Sequence, residues 1–408
     1  MTVELDEQDG ATLLRALAGG QPRGASTVDI AKAIADGDRH HRRVRLVGSA
    51  GAGATVVLVA VAGWTVVTDA PQKPAPAATS ARASSGSPSA GPSPTAARGC
   101  TVQQLATPAG EGPKAIVSGS DPTGKYLVGR TYPDGHPSTV VWENLQPRKV
   151  PMQGDDPTLS DATSGGVFVG SSFTGYDTTS AWVYKGGKFA KLAGANAAAR
   201  AINEREVIVG IVQGKPAMWA SPTAQPTMLA TPPGKGWTGA ATGIDEDGTI
   251  VGTLQGGPGG EGQAYVWGPD GTVRKLAQPT VKGKPASTYN AGEIRDGWVV
   301  GWAAYDEPNR GPRWLGAPRW NLRTGALDTT DGVFTAINAQ GRIVGQLDVV
   351  APDGTKVTLP LPGGLEAKTA MVNTGTISDD GSIIAGYLNT RDGSLDEQPI
   401  SVVWKCGS

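Results

Sequence analysis

The 408-residue chain has only two cysteines and three histidines. His40 and His41 belong to a basic stretch near the N-terminus, so His136 is the one histidine after residue 100. A zinc site built from His and Cys has no ligand set there. A Ser-His-Asp triad would depend on a histidine in the turn-like sequence Tyr132-Pro-Asp-Gly-His136. Charge of one sign is equally scarce: residues 100–408 hold 26 Lys and Arg against 29 Asp and Glu, a net of 26 − 29 = −3. Without a basic face to meet a phosphate backbone, nucleic-acid binding is not expected. Carboxylates are present but fall mostly in hairpins, as in Asp245-Glu-Asp247-Gly248 and Ser378-Asp-Asp380-Gly381, where tight turns need Asp and Gly. Asp245 and Asp247 lack a following twelve-residue calcium loop. No catalytic residue, metal or cofactor is assigned from the sequence.

What is present is repetition. A small or apolar pair, a turn, a short apolar run ending in Gly, a second run ending in Trp, and a polar hairpin with Leu or Val recur seven times after residue 100. The anchors Gly129, Gly170, Gly210, Gly252, Gly301, Gly345 and Gly386 are spaced by 41, 40, 42, 49, 44 and 41 residues. That period predicts an all-β, seven-bladed β-propeller over 100–408, each repeat supplying strands A, B, C and D. Trp142, Trp182, Trp219, Trp267, Trp298, Trp320 and Trp404 lie in or beside these strands and are expected mostly in the core.

The last repeat supplies A, B and C strands up to Trp404 but no D strand. The missing piece matches the other end, because Cys100-Thr-Val-Gln-Gln-Leu105-Ala-Thr-Pro108 aligns with Gly271-Thr-Val-Arg-Lys-Leu276-Ala-Gln-Pro279 of the fourth repeat. The N-terminal segment is thus expected to complete the seventh blade. Cys100 and Cys406 then face each other across the C–D hairpin, within disulfide range. A disulfide is the favoured reading over two unrelated reduced thiols.

Residues 46–68 contain no charged side chain and would form a helix about 35 Å long, enough for one membrane crossing. Arg39, Arg42, Arg43 and Arg45 on its N-terminal flank place residues 1–45 in the cytoplasm and the repeats outside. A cleaved secretory signal competes, with Ala75-Pro-Ala77 as a weak site, but the leading segment is long for that purpose. Residues 69–99, rich in Ala, Pro, Ser, Gly and Thr, read as a linker. Within 1–45, Ala11 to Ala18 and Val28 to Ala35 could form short helices that dock a cytoplasmic partner, or a disordered tail.

Strand direction puts the A–B and C–D turns on one face of a propeller and the B–C and D–A connections on the other. The chain enters at residue 100 on the short-turn face, so that face is expected toward the membrane and the long-loop face outward. The longest B–C connection belongs to blade five and carries Trp302, Tyr305, Asp306, Arg310, Arg313 and Trp314, a mixture suited to sugar, peptide or other polar ligands. The alternative is a loop packed on its own blade.

The phrase Ala336-Ile337-Asn338-Ala-Gln-Gly341-Arg-Ile343-Val344-Gly345 resembles the HAF-type extracellular repeat, a propeller-forming family with a small-Ile-Asn, Gly, Val-Val-Gly, apolar-Trp consensus. The resemblance covers most of 112–408; blade three departs from it with Arg205-Glu206 at its turn, and blade six lacks the Trp. It implies an exported propeller with no shared activity to carry over. WD40 repeats fit less well, since no Trp-Asp dipeptide occurs. The sequence therefore predicts a single-pass membrane protein of bacterial type displaying an extracellular, disulfide-closed propeller that binds or scaffolds a ligand or protein. Two alternatives stand beside it: a transmembrane signal transducer whose segment 1–45 engages a cytoplasmic regulator in the manner of an anti-sigma factor, and a carboxylate-dependent glycan-active enzyme.

Overall fold

The structure, a computed structural model, describes residues 99–407 except 176, 235, 257–259, 308–310, 364 and 391–398, and the backbone alone at 306–307 and 311–315. The expected cytoplasmic segment, the apolar span and linker residues 69–98 lie outside the described residues, as does Arg310. Among the described residues no helix is long and apolar enough to cross a membrane.

The chain forms seven antiparallel blades arranged as a propeller. Blade one comprises Ala115–Ser120, Tyr126–Thr131, Ser138–Glu143 and Gln146–Lys149 as strands A to D. The seventh consists of Ala370–Ile377, Ile383–Thr390, Ile400–Cys406 and, as its outer strand, Cys100–Gln104 from the other end of the chain. Cys100 stands opposite Cys406 in that ladder, and the two form a disulfide with Cα atoms 3.9 Å apart. Blade five departs from the pattern. Its C strand, Gly311–Asn321, pairs through its second half with Trp298–Val300 and Leu327–Thr330, and through its first half with Ala303–Glu307. The expected long loop is therefore a two-stranded ribbon continuing the blade.

Seven interfaces separate seven blades, and each holds its own cluster of buried side chains. Val169 and Leu192 of blade two, for example, pack with Ile202 and Trp219 of blade three. Central strands read as continuous apolar runs, as in Ile208–Val212, because both faces meet a neighbouring blade.

The recurring Gly follows from a feature of the inner strand. Ladders between strands A and B slip by one residue in blades one, two, three, four and seven, leaving Ser118, Ser160, Arg200, Thr242 and Gly375 as the extra residue of a β-bulge. The anchor glycines of these blades stand on strand B opposite the residue that precedes the bulge, and at all seven anchors a Cβ would overlap a backbone carbonyl of the inner strand: Ile116 for Gly129, Ala198 for Gly210, Ala240 for Gly252. By the same correspondence Gly292 and Thr335 occupy the bulge position of blades five and six. Glycine recurs because the backbones approach too closely for any side chain.

The recurring Trp clasps one blade to the one before it. The indole N–H groups of Trp142, Trp219, Trp267, Trp320 and Trp404 donate to the carbonyls of Ala106, Ala193, Ala230, Ala277 and Pro360, at 2.6–2.8 Å. Each acceptor follows the repeat's Leu. In blade two the clasp position belongs to Tyr184, opposite Phe168, and its hydroxyl accepts from Arg148 of blade one at 2.8 Å. Trp182, two residues upstream, donates instead to Ser172 Oγ within its own blade. Blade six has Val350 there, and Arg319 of blade five, buried, donates to the carbonyls of Gly341, Val350 and Ala351.

Candidate functional site

The ribbon brings most of the blade-five residues together. Tyr305 stands opposite Arg313, Asp306 opposite Pro312, and Trp314 opposite Ala304. Trp302, half-buried, sits at the ribbon's base, where its N–H donates to Asn290 Oδ1 at 2.8 Å and its carbonyl accepts from the Asn290 N–H at 2.9 Å. Tyr305 is half-buried against the core shared by blades four and five. Both rings are thus only partly exposed.

A second insertion lies beside the ribbon on the same face. In the D–A connection entering blade five, Thr280–Val281 pairs with Lys284–Pro285 around Lys282 and Gly283, both at positive φ, as a two-residue hairpin turn requires. Lys284 Nζ lies 4.8 Å from the centre of the Tyr305 ring, joining hairpin to ribbon by a cation–π contact. Lys275 Nζ lies 5.7 Å from the neighbouring Tyr289 ring. The long-loop side of blade five thus sets the half-buried Tyr305 ring beside the exposed Lys275, Lys282 and Lys284, while Tyr289 itself is buried in the core.

A different cluster sits at the short-turn end of the axis. Arg295, near the end of the inner strand of blade five, has Nη2 3.9 Å from Asp161 of blade two and Nε 3.4 Å from Glu293. Blades two and five are not neighbours, so their side chains can meet only at the axis, and Arg295 lies across it. Asp161 Oδ2 accepts from the Ile202 N–H of blade three at 2.9 Å, and Glu293 Oε2 from the Ile337 N–H of blade six at 3.2 Å. Asp245 Oδ2 likewise accepts from the Gly297 N–H of blade five at 2.6 Å. Burial raises Asp161 to about 6 and Glu293 to about 7 against the opposing pull of Arg295. Glu246 and Asp379 are raised by burial too. Burial works against the Arg295 charge, but these carboxylates together raise its pKa.

Perturbed carboxylates are a usual mark of catalysis, but these are committed to backbone N–H groups of neighbouring blades and to one arginine. They also occupy the short-turn face, opposite the long loops of blade five. His136 is exposed. Among the described residues no group of His, Cys, Asp or Glu is arranged to hold a metal ion. The axial charges escaped the reading of the sequence, although a signal exists. One residue after the bulge, where Gly119, Ala201, Gly243, Ala336 and Thr376 stand, blades two and five carry Asp161 and Glu293.

No known family profile matches the chain, and no curated protein matches it. Solved structures with a similar fold include the β-propeller domain of the Trilobed protease from Pyrococcus furiosus, at 11% identity over 71% of this chain and 93% of that one, with a TM-score of 0.44. Acylaminoacyl peptidase from Pyrococcus horikoshii matches at 14% identity over 68% of this chain, which spans half of that protein, with a TM-score of 0.43. A gluconolactonase from Xanthomonas campestris matches at 12% identity over 76% of this chain and 90% of that one, with a TM-score of 0.37. Similarity of this degree concerns architecture and carries nothing about chemistry.

Proposed function

We propose that this chain is an exported, membrane-anchored propeller of the HAF-repeat type that serves as a binding module, with the long-loop side of blade five as its contact surface. The observation that carries the proposal is the pairing of two insertions on one blade, the 280–285 hairpin and the 303–316 ribbon, joined through Lys284 and Tyr305. A partly exposed aromatic ring flanked by cations suits a polar ligand with both a flat face and hydrogen-bonding or anionic groups. The anchor reading rests on the uncharged span 46–68 and its arginine flank, and it turns this surface away from the membrane because residue 100 enters from the opposite face.

Site-specific photo-cross-linking on cells displaying the full chain tests the reading, with the cross-linker placed at Tyr305 or Lys284, or at Asp247 on the short-turn face. Partner capture from the first two positions is expected, together with at least a several-fold loss of binding in Trp314→Ala and Arg310→Ala variants of unchanged thermal stability. Capture from Asp247 alone, with those substitutions silent, would place the contact surface on the wrong face.

A further inference from the structure

The bulge residues of the seven inner strands form one layer around the axis: Ser118, Ser160, Arg200, Thr242, Gly292, Thr335 and Gly375. Their orientation follows from the bulge. Ala199 packs in the cluster between blades two and three, and Ala201 in the cluster between blades three and four. Arg200, between them, belongs to neither face and is directed to the free edge of the strand, which borders the central channel of a propeller. Six of the seven layer residues are small. Ser118 donates to the Leu159 carbonyl at 2.5 Å, Thr242 to the Ala291 carbonyl at 2.7 Å, and Thr335 to the Thr374 carbonyl, each acceptor lying on the inner strand of the next blade.

Arg200 has no such role. None of its guanidinium nitrogens has a hydrogen-bond or ion-pair partner among the described residues, and solvent reaches the residue in part. Burial lowers its pKa, and no carboxylate offsets the loss. Ser160, in the adjacent blade and the same layer, also has a hydroxyl without a partner among the described residues. Further along the axis, toward the short turns, Asp161, Glu293, Glu246 and Asp379 surround the single cation Arg295 and form an acidic floor. An anion therefore meets Arg200 only from the long-loop side.

We infer that the axial channel holds a binding site for one small oxyanion, a phosphate or carboxylate group, with Arg200 supplying the charge and forked N–H donors and Ser160 a hydroxyl. A guanidinium inside a ring, stripped of much of its water and given no protein carboxylate, is a site prepared for an external one. The carboxylates of Asp161 and Glu293 below it restrict occupancy to the upper part of the channel. This site is separate from the surface proposed on blade five and does not depend on it.

Calorimetric titration of the full chain in detergent with inorganic phosphate and, separately, acetate tests the inference, alongside the shift in melting temperature each produces. Saturable binding of one of them near one equivalent is expected; which one binds identifies the ligand group. Arg200→Met should weaken that binding at least tenfold and abolish the shift, Arg200→Lys should retain part of it, and Ser160→Ala should weaken it several-fold. Because Met keeps the length of the stem and removes an uncompensated charge, the ligand-free variant should melt no lower than the parent. Absence of saturable binding by the parent protein, or equal binding by Arg200→Met, would overturn the inference; should Arg200→Met fail to fold, the parent titration and the Arg200→Lys variant still decide it.

Discussion

Glu293 shows how a residue that binds two blades together sets the pH response of the ring. Its carboxylate accepts from Ile337 of the next blade and faces Arg295, while burial raises its pKa from near 4.5 to about 7. Asp161 rises from 3.8 to about 6 for the same reason. A carboxyl whose pKa is higher folded than unfolded binds protons more tightly in the folded state, so its contribution to stability declines as pH rises between the two values. The groups shifted the other way, such as Asp296 beside Arg323, exert their effect only below the ordinary carboxylate range. Stability should therefore fall from pH 5 to pH 8. Glu293→Gln keeps an oxygen for the Ile337 N–H and removes the titration, and urea denaturation across that window should give a visibly flatter profile. A variant as pH-dependent as the parent would assign the effect elsewhere. None of this was legible in the sequence, where Asp161 and Glu293 look like two more hairpin acids; only closure of the ring brings Arg295 of blade five to Asp161 of blade two.

At the scale of the element, legibility followed how local each signal is. Period and strand order come from neighbouring residues, but the apolar run taken to end at the anchor glycine continues past it as strand in five blades, as in Tyr126–Thr131 around Gly129 and Phe168–Gly175 around Gly170. The cause of the anchor glycines, the bulge opposite, involves a second strand and appears only in the paired ladder. Blade two exposes the limit: its strand C contains both Trp182 and Tyr184, and composition favours the Trp, but the register with Phe168 puts Tyr184 at the clasp. Blade five exposes another, since Gly-Pro-Arg-Trp reads as a loop while cross-strand bonding to Ala303–Glu307 makes it strand. The clasp itself predicts a graded series at Trp219, which is fully buried and donates to the Ala193 carbonyl. Trp219→Phe retains most apolar contact but orphans that carbonyl, costing about 1–2 kcal/mol. Trp219→Ala also opens a cavity between blades two and three and should cost about 3–5 kcal/mol. Equilibrium denaturation measures both, and equal losses would show that the indole N–H contributes nothing.

Across the whole molecule, the seam decides whether seven marginal sheets behave as one body. The strand Cys100–Gln104 is held by its ladder to Ile400–Cys406, by the Leu105 N–H on the Ser401 carbonyl, by the Trp142 indole on the Ala106 carbonyl, and by the disulfide. The first three bonds act only while the ring is closed. The disulfide acts also on the unfolded chain, where it joins residues 306 apart. Chain entropy assigns a loop of that length on the order of 5 kcal/mol, an upper bound because denatured-state structure and native constraints reduce it. Cys100→Ser should therefore lower stability by about 2–4 kcal/mol, most of it through the denatured state. Losing the covalent link also lets the outer strand peel from blade seven and expose the edge of Ile400–Cys406, an invitation to pairing between molecules. Guanidinium titration of the parent with and without reductant, beside the Cys100→Ser variant, should give two matching lowered midpoints, with concentration-dependent association in both altered forms. Midpoints unchanged by reduction would mean that the ladder and the Trp142 clasp close the ring unaided.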